Sequence, residues 1–359
     1  MENNVLVIGT GTIGEPLIGL LARLKNDFRI NKLYFHKRTP LDYEVAKVNS
    51  LVAQGADLVV DADKVQSFKA LGHEPTTDFN SALLDSKVVI DCTPAGNENK
   101  DQHYLGLDAS NKNQVFIAQG SEKGFGVPYA HGINEEVLTV KNSPRFIQVV
   151  SCNTHTISRL IKSIAPSLDN DLVSGDFVCI RRANDASQDT GFTPSPTCGK
   201  HSDGVFGTHH ARDVHDLFST VTSPDWDLTS SAMKVNSQYM HVVRFQIKIK
   251  DPQADLSAIR SRLKEDRFIS TTKHMTANKV FSFGRDHGFY GRIYNQAVVC
   301  EPSLQVINRG DCTMVSGFSF TPQDGNSLLS SISACLFGLH GDDYRGYLAH
   351  FHQFLKAEV

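Results

Sequence analysis

The segment that most constrains the fold lies at the start of the chain. Val5-Leu6-Val7-Ile8 is a short continuous apolar run, Gly9-Thr10-Gly11-Thr12-Ile13-Gly14 follows at once, and Leu17, Ile18, Leu20, Leu21 and Leu24 then recur at helical spacing. A strand, a glycine turn and a helix in that order open a βαβ unit. Three glycines so spaced let the turn be tight, let backbone approach a pyrophosphate, and let the helix pack close to the strand. Pro16 fits an early helical position, where its missing donor costs nothing. The bland alternative is an ordinary strand-to-helix turn. The strand-first context points instead to dinucleotide binding, with Gly9, Gly11 and Gly14 against the phosphates.

The second apolar run, Leu33-Tyr34-Phe35-His36, ends in Lys37-Arg38-Thr39-Pro40. Many NAD-specific proteins place an acidic residue here to hold the ribose hydroxyls. Lys37 and Arg38 suit the extra 2′-phosphate of NADP, so NADP or both nicotinamide cofactors are expected, with solvated surface charge as the alternative. Strands are also expected at Val88-Val89-Ile90 and Val115-Phe116-Ile117, each running into a polar turn: Asp91-Cys92-Thr93-Pro94-Ala95-Gly96 and Ala118-Gln119-Gly120-Ser121-Glu122-Lys123. In an open parallel sheet, ligands lie beyond the carboxyl ends of the strands, so Thr93, Pro94 and Gly120 are expected to line one crevice with the glycine loop.

With 359 residues, 40 % hydrophobic and 21 % charged, the chain has room for two domains with real cores. A net charge of -3 gives no basic footprint for nucleic acid or an anionic membrane surface. No apolar run approaches the length of a bilayer span and no secretory leader pattern is present, so a cytosolic protein is expected. Seven cysteines, odd in number and scattered, read as reduced thiols.

A thiol stands out at the end of a later strand. Phe146-Ile147-Gln148-Val149-Val150 gives way at Ser151-Cys152-Asn153-Thr154-His155 to a helix pattern carrying Ile157, Leu160, Ile161 and Ile164. A cysteine at a helix start sees unpaired backbone donors and the positive end of the helix dipole, and both favour the thiolate. Cys152 is therefore a candidate nucleophile, expected to face the nicotinamide end, against the bland reading of a small core residue. Beyond about residue 165 longer, more alternating runs at 173–180 and 240–249 suggest an antiparallel sheet domain, and a helical pattern returns over 327–355.

A thiol beside a nicotinamide suggests oxidation of an aldehyde through a thiohemiacetal and a thioester, which needs a base. Histidine is the natural candidate, but with 15 of them position alone does not choose between His210 and His241. Arg181, Arg182, His209 and His210 form a cationic set suited to phosphate, with ion pairing to Asp185, Asp189 or Asp213 as the alternative. The run Cys198-Gly199-Lys200-His201 lacks a second close cysteine pair, so no metal site is assigned.

Together these motifs resemble the archaeal-type glyceraldehyde-3-phosphate dehydrogenase family over nearly the whole chain. The resemblance is carried by residues 9–14, Lys37-Arg38-Thr39-Pro40, Asp91-Cys92-Thr93-Pro94, Gln119-Gly120-Ser121-Glu122-Lys123, Ser151-Cys152-Asn153-Thr154, Arg181-Arg182, His209-His210 and Met240-His241, in family order. It implies an α/β fold: a Rossmann-type doubly wound parallel sheet over 1–151, with a terminal helix from 324–359 packing back onto it, and an α+β catalytic domain with a mainly antiparallel sheet over 152–323. It implies Cys152 as nucleophile and His241 as the catalytic base. Ser151, Asn153, Thr154, Arg181, His209 and His210 would then hold triose phosphate or inorganic phosphate, and Thr12, Ile13, Gly120 and Arg182 would contact NADP or NAD. The implied assembly is a cytosolic homotetramer. His155 stands where the family usually repeats threonine, and Ala211-Arg212 where glycine and proline usually follow the double histidine, so the aldehyde's identity is less fixed than the chemistry. Related phosphate-coupled semialdehyde dehydrogenases, and a non-catalytic nucleotide-binding relative, remain as alternatives.

Overall fold

A computed structural model describes residues 2–107, 114–120, 122–185 and 191–359. Ser121 of the fourth motif and Asp189 lie outside the described residues. The chain divides into two compact units: Met1–Tyr129, Glu136–Val149 and Leu328–Gln353 form the first, and Ala130–Glu135, Val150–Ser327 and Phe354–Val359 the second.

The first unit is built on eight parallel strands: β1 (Val5–Ile8), β2 (Leu33–His36), β3 (Asp57–Val60), β4 (Thr77–Asp78), β5 (Val88–Asp91), β6 (Val115–Gln119), β7 (Val127–Tyr129) and β8 (Phe146–Val149). Their order is β4-β3-β2-β1-β5-β6-β8-β7, with every neighbour parallel. β1, β2 and β5 are buried at every residue, as strands covered on both faces must be, which is why they read as unbroken apolar runs. The chain winds from β1 out to β4 and returns to β5 on the other side of β1, so the switch point falls between β1 and β5. The glycine loop and the Asp91–Thr93 turn leave their strands there. On this sheet rides the helix Leu328–His340, so close that a Cβ on Gly338 would lie 2.6 Å from Val88 Cγ2. Lys87 Nζ donates to the Leu339 carbonyl at 2.7 Å and steadies the helix end.

The second unit carries β9 (Leu172–Arg181), β10 (Thr197–Cys198), β11 (Asp227–Lys234), β12 (His241–Ile249), β13 (Ile269–Thr272), β14 (Ala297–Cys300), β15 (Gln305–Asn308) and β16 (Thr313–Thr321). The order is β10-β11-β9-β12-β16-β14-β13, with β15 on β16. Most pairings are antiparallel, but β11 runs parallel to β9 and β13 parallel to β14, so the sheet is mixed. Strict alternation of burial along β12 gives the sheet one core face, where Phe177, Cys179, Val243, Phe245 and Ile247 meet Ile157, Leu160, Ile161 and Ile164 of the helix Cys152–Ile164. Each such large side chain contributes roughly 1.5–3 kcal/mol on burial. The helices His209–Phe218, Leu256–Glu265 and Ala277–His287 supply the helical part of the expected α+β domain, although the sequence pattern did not locate them. Polar and charged residues fill them, so their apolar stripes are too sparse to read from periodicity. Among the described residues no helix is long and apolar enough to cross a membrane, and all seven cysteines are unpaired.

Candidate active site

In the first unit the glycines do what their spacing implies. Gly9 has φ +92°, the left-handed region that a side chain resists, and a Cβ on Gly14 would fall 2.0 Å from the Gly9 carbonyl oxygen. Gly11 has nothing within 4 Å of where its Cβ would point, so the backbone there is open to a ligand. Ile13 gives the ten-residue helix Gly14–Arg23 no side-chain cap, and of its first amides that of Glu15 donates to the Gly11 carbonyl at 3.0 Å. Buried Asp91 shapes the neighbouring turn. Its Oδ1 accepts from the Thr93 amide at 2.9 Å and hydroxyl at 2.6 Å, and its Oδ2 accepts from Asn99 Nδ2 and Tyr104 OH, each at 2.7 Å. Gly120 holds φ +71° at the end of β6. These residues fit a dinucleotide.

Of the two cations after β2, Lys37 is not simply solvated. Lys37 Nζ is ion-paired with Glu44, whose other oxygen accepts from Lys47 Nζ at 2.6 Å. Lys47 also donates to the Thr10 carbonyl of the glycine loop at 3.4 Å. Burial pushes the Glu44 carboxyl up, but the hydrogen bonds from Lys37 and Lys47 outweigh it and hold the group below its usual range. A carboxylate thus stands beside the end of β2 after all, supplied by the short turn Asp42–Glu44. Sequence reasoning missed Glu44 and Lys47; their i, i+3 spacing was the available signal. Arg38 is exposed and has no ion pair among the described residues.

In the second unit Ser151 caps the helix Cys152–Ile164, accepting from the Thr154 amide at 3.4 Å, so Cys152 is the first helical residue. Asn326 Nδ2 donates to the Cys152 carbonyl at 2.9 Å. The expectation of a ready thiolate is overturned. Crowding of the half-buried residue, and then the Asp324 carboxylate, push the thiol up to about 12, against the Arg182 guanidinium and the Asn153 amide. Helix-end stabilisation is worth only about 0.3–1 kcal/mol at an exposed site, and desolvation exceeds it here.

His241 opens β12 and is 6 % exposed. Its Nδ1 accepts a hydrogen bond from the Arg182 backbone N–H at 2.9 Å. Burial, reinforced by Arg182 and Arg181, lowers its pKa to about 3, so the ring is neutral. Arg182, expected at the cofactor, has its guanidinium committed elsewhere. Nη1 donates to the Tyr239 carbonyl at 3.0 Å, and Nη2 to Asp185 at 2.9 Å and buried Asp324 at 3.1 Å. Two of the three Arg182 guanidinium nitrogens thus have protein partners, whereas Arg181 is exposed and its charge bears on His209, His210 and His241.

His209 and His210 begin the helix His209–Phe218, their rings 4.0 Å apart. Ser230 of β11 accepts from the Ala211 amide at 3.0 Å and bonds to Thr208 Oγ1 at 2.7 Å, which ties this helix start to the sheet. His210 is buried, lowered to about 3 by burial and then by His209 and Arg181, and neither ring nitrogen has a partner among the described residues. Asn153 Oδ1, Thr321 Oγ1 and Arg182 Nε share that condition. A buried polar atom left unpaired costs about 1–3 kcal/mol, so a group of them points to a polar ligand. Two departures from the resemblance are accounted for. His155 is wholly buried with Nδ1 3.0 Å from the Ser151 carbonyl, and Arg212 is paired with Asp203 and Asp213 rather than left for phosphate.

No family model matches the chain. It is similar to glyceraldehyde-3-phosphate dehydrogenase of Pyrobaculum calidifontis, 28 % identical over 314 residues covering 85 % of this chain and 83 % of that protein. The proteins of the same name from Methanopyrus kandleri (26 % over 322 residues, 84 % and 83 %) and Archaeoglobus fulgidus (27 % over 294 residues, 76 % and 77 %) are similar over most of their lengths too. The resemblance to the archaeal-type family is borne out at this level. The similarity and the parallel sheet together support an oxidoreductase of the dehydrogenase kind and imply a nicotinamide nucleotide cofactor.

Proposed function

We propose that this protein is a phosphorylating aldehyde dehydrogenase that oxidises glyceraldehyde 3-phosphate to 1,3-bisphosphoglycerate, reversibly, with NADP or NAD and inorganic phosphate. The observation that carries the reading is a single cysteine at the first position of a helix, set in one electrostatic neighbourhood with neutral His241 and with the unpartnered imidazole of His210. Cys152 adds to the aldehyde carbon, and the thiohemiacetal becomes a thioester that phosphate cleaves to the acyl phosphate. Oxidised nicotinamide, when bound, supplies the hydride acceptor. Gly9, Gly11, Thr12, Ile13 and Gly14 hold its pyrophosphate, Thr93, Pro94 and Gly120 line the crevice, and Lys37 and Arg38 face the adenosine ribose. His209, His210 and Arg181, with Ser151, Asn153 and Thr154, hold the phosphate of the substrate or the attacking phosphate. The neutral imidazoles gain their missing partners when the anion arrives. A cytoplasmic homotetramer is what the family resemblance implies.

The test is nicotinamide reduction by purified protein with glyceraldehyde 3-phosphate, with NAD or NADP, with and without inorganic phosphate. Turnover that requires phosphate, and falls by at least about 10³-fold in Cys152→Ser while dinucleotide binding persists, supports the reading. Equal turnover with an unphosphorylated semialdehyde removes the substrate assignment, and unchanged activity in Cys152→Ser removes the nucleophile.

A further inference from the structure

β2 closes on His36, about 20 residues beyond the glycine loop, the place from which an acidic residue ordinarily reaches the ribose hydroxyls of NAD. Here that place holds an imidazole, with a carboxylate behind it. His36 Nε2 lies 3.0 Å from Oδ1 of Asp61, which follows β3, the parallel neighbour of β2. An ionised carboxylate only accepts, so in the neutral ring Nε2 carries the hydrogen, and Nδ1 is left with a lone pair and no partner among the described residues. The residue is 7 % exposed, and its ring packs at 4.6 Å against Phe79 of the helix Phe79–Asp85. Phe79 in turn meets the His103 ring at 5.5 Å.

The charges around the ring are few and opposed. Burial comes first and disfavours the imidazolium, Asp61 favours it, Arg38 disfavours it, and Asp91 at the end of β5 favours it; the outcome lies below the ordinary histidine value. Lys37, next in sequence, is ion-paired with Glu44, and the helix Gly14–Arg23 on the same strand brings Glu15, which faces Lys47 at 3.9 Å. Arg38 is exposed and has no ion pair among the described residues. An anion that pairs with Arg38 cancels the repulsion between guanidinium and imidazolium and adds an attraction of its own. Both changes favour a charged His36.

We propose that His36 is a cofactor-specificity residue: it takes up a proton when the 2′-phosphate of NADP settles at the end of β2, and then holds that phosphate together with Arg38. NAD carries a hydroxyl at that position and leaves the ring neutral. The inference rests on the reading of the protein as a nicotinamide-dependent dehydrogenase and adds a selector to the two cations that follow β2. The proton comes from solvent and lands on Nδ1, while Nε2–H stays with Asp61, which faces the new positive charge. Because the NADP-bound state holds the extra proton, affinity for NADP rises as pH falls, and affinity for NAD does not follow it.

Isothermal titration in buffers of different ionisation heat counts the protons exchanged on binding, whatever the turnover. At pH 7 NADP is expected to bring about half a proton onto each chain and NAD close to none, so the NADP to NAD affinity ratio rises about threefold from pH 8 to pH 7. The phosphate's own second ionisation, at about pH 6, works in the opposite direction, since pairing with a cation makes phosphate release protons. His36→Gln is expected to bind both dinucleotides without proton uptake and with a ratio that no longer rises. Asp61→Asn keeps the ring but removes the charge that favours its protonation, and is expected to take up fewer protons than the native protein; an equal number overturns the role of the pair. Undiminished uptake in His36→Gln, equal uptake with NAD, or NADP binding without uptake overturns the proposal and leaves the dehydrogenase reading intact, because NAD binding reports on that reading separately. Native protein that binds neither dinucleotide sinks both.

Discussion

At the residue scale the site depends on imidazoles kept neutral by burial. His155 is lowered to about 4, and His210 and His241 to about 3, with desolvation the first cause in each. The folded state holds these rings uncharged, whereas an unfolded chain protonates them near the ordinary value of about 6.5. Their stabilising contribution is therefore complete above pH 6.5 and is lost as pH falls from there toward 3–4. At pH 5 each costs about 2 kcal/mol, and unfolding is expected to take up about three protons. Urea unfolding across pH 5–7 checks this, and a flat stability over that range would contradict the buried neutral state. Cys152, His209, His210 and His241 were singled out because they sit in recognisable short motifs. Their charge states were not legible there. The helix start at Ser151 argued for a thiolate, but proton affinity depends on what packs around the sulfur and on Asp324, which comes from a segment 172 residues away in sequence. The protein partners of Arg182 were hidden for the same reason: Asp324 and Tyr239 are joined to it only by the fold.

At the scale of elements β1, β2, β5, β6 and β8 of the parallel sheet were legible as apolar runs bounded by turn residues, whereas β3, β4 and β7 were not read. The mixed sheet was harder, because alternation gives a strand its faces but not the direction of its neighbours, and β11 beside β9 is parallel. The turn after β2 holds an ion-paired carboxylate where a dinucleotide's adenosine ribose is expected. Glu44 neutralises Lys37 and Lys47 where the sequence shows only Lys37 and Arg38. Glu44→Gln frees Lys37, leaves Lys47 its longer pair with Glu15 at 3.9 Å, and removes a carboxylate that would oppose a 2′-phosphate. Calorimetric titration is expected to show the NADP to NAD affinity ratio rising by about tenfold, equivalent to ~1.4 kcal/mol. An unchanged ratio would mean that the 2′-phosphate lies away from this pair.

At the scale of the whole molecule the chain joins a dinucleotide-binding unit to a unit that carries the thiol, both imidazoles and the cationic groups. The similarity to archaeal dehydrogenases covers most of the chain, so it bears on both units and not on the nucleotide fold alone. The proposed function rests on covalent chemistry at one sulfur among seven cysteines. That chemistry is directly observable. Protein mixed with glyceraldehyde 3-phosphate and oxidised dinucleotide, without inorganic phosphate, is quenched in acid and examined by intact-mass and peptide mass spectrometry. The expected result is a burst of about one reduced nicotinamide per chain, with an acyl adduct on Cys152 that disappears when phosphate is added before the quench. An unmodified Cys152 beside full reduction of nicotinamide, or an adduct on another cysteine, would contradict the account.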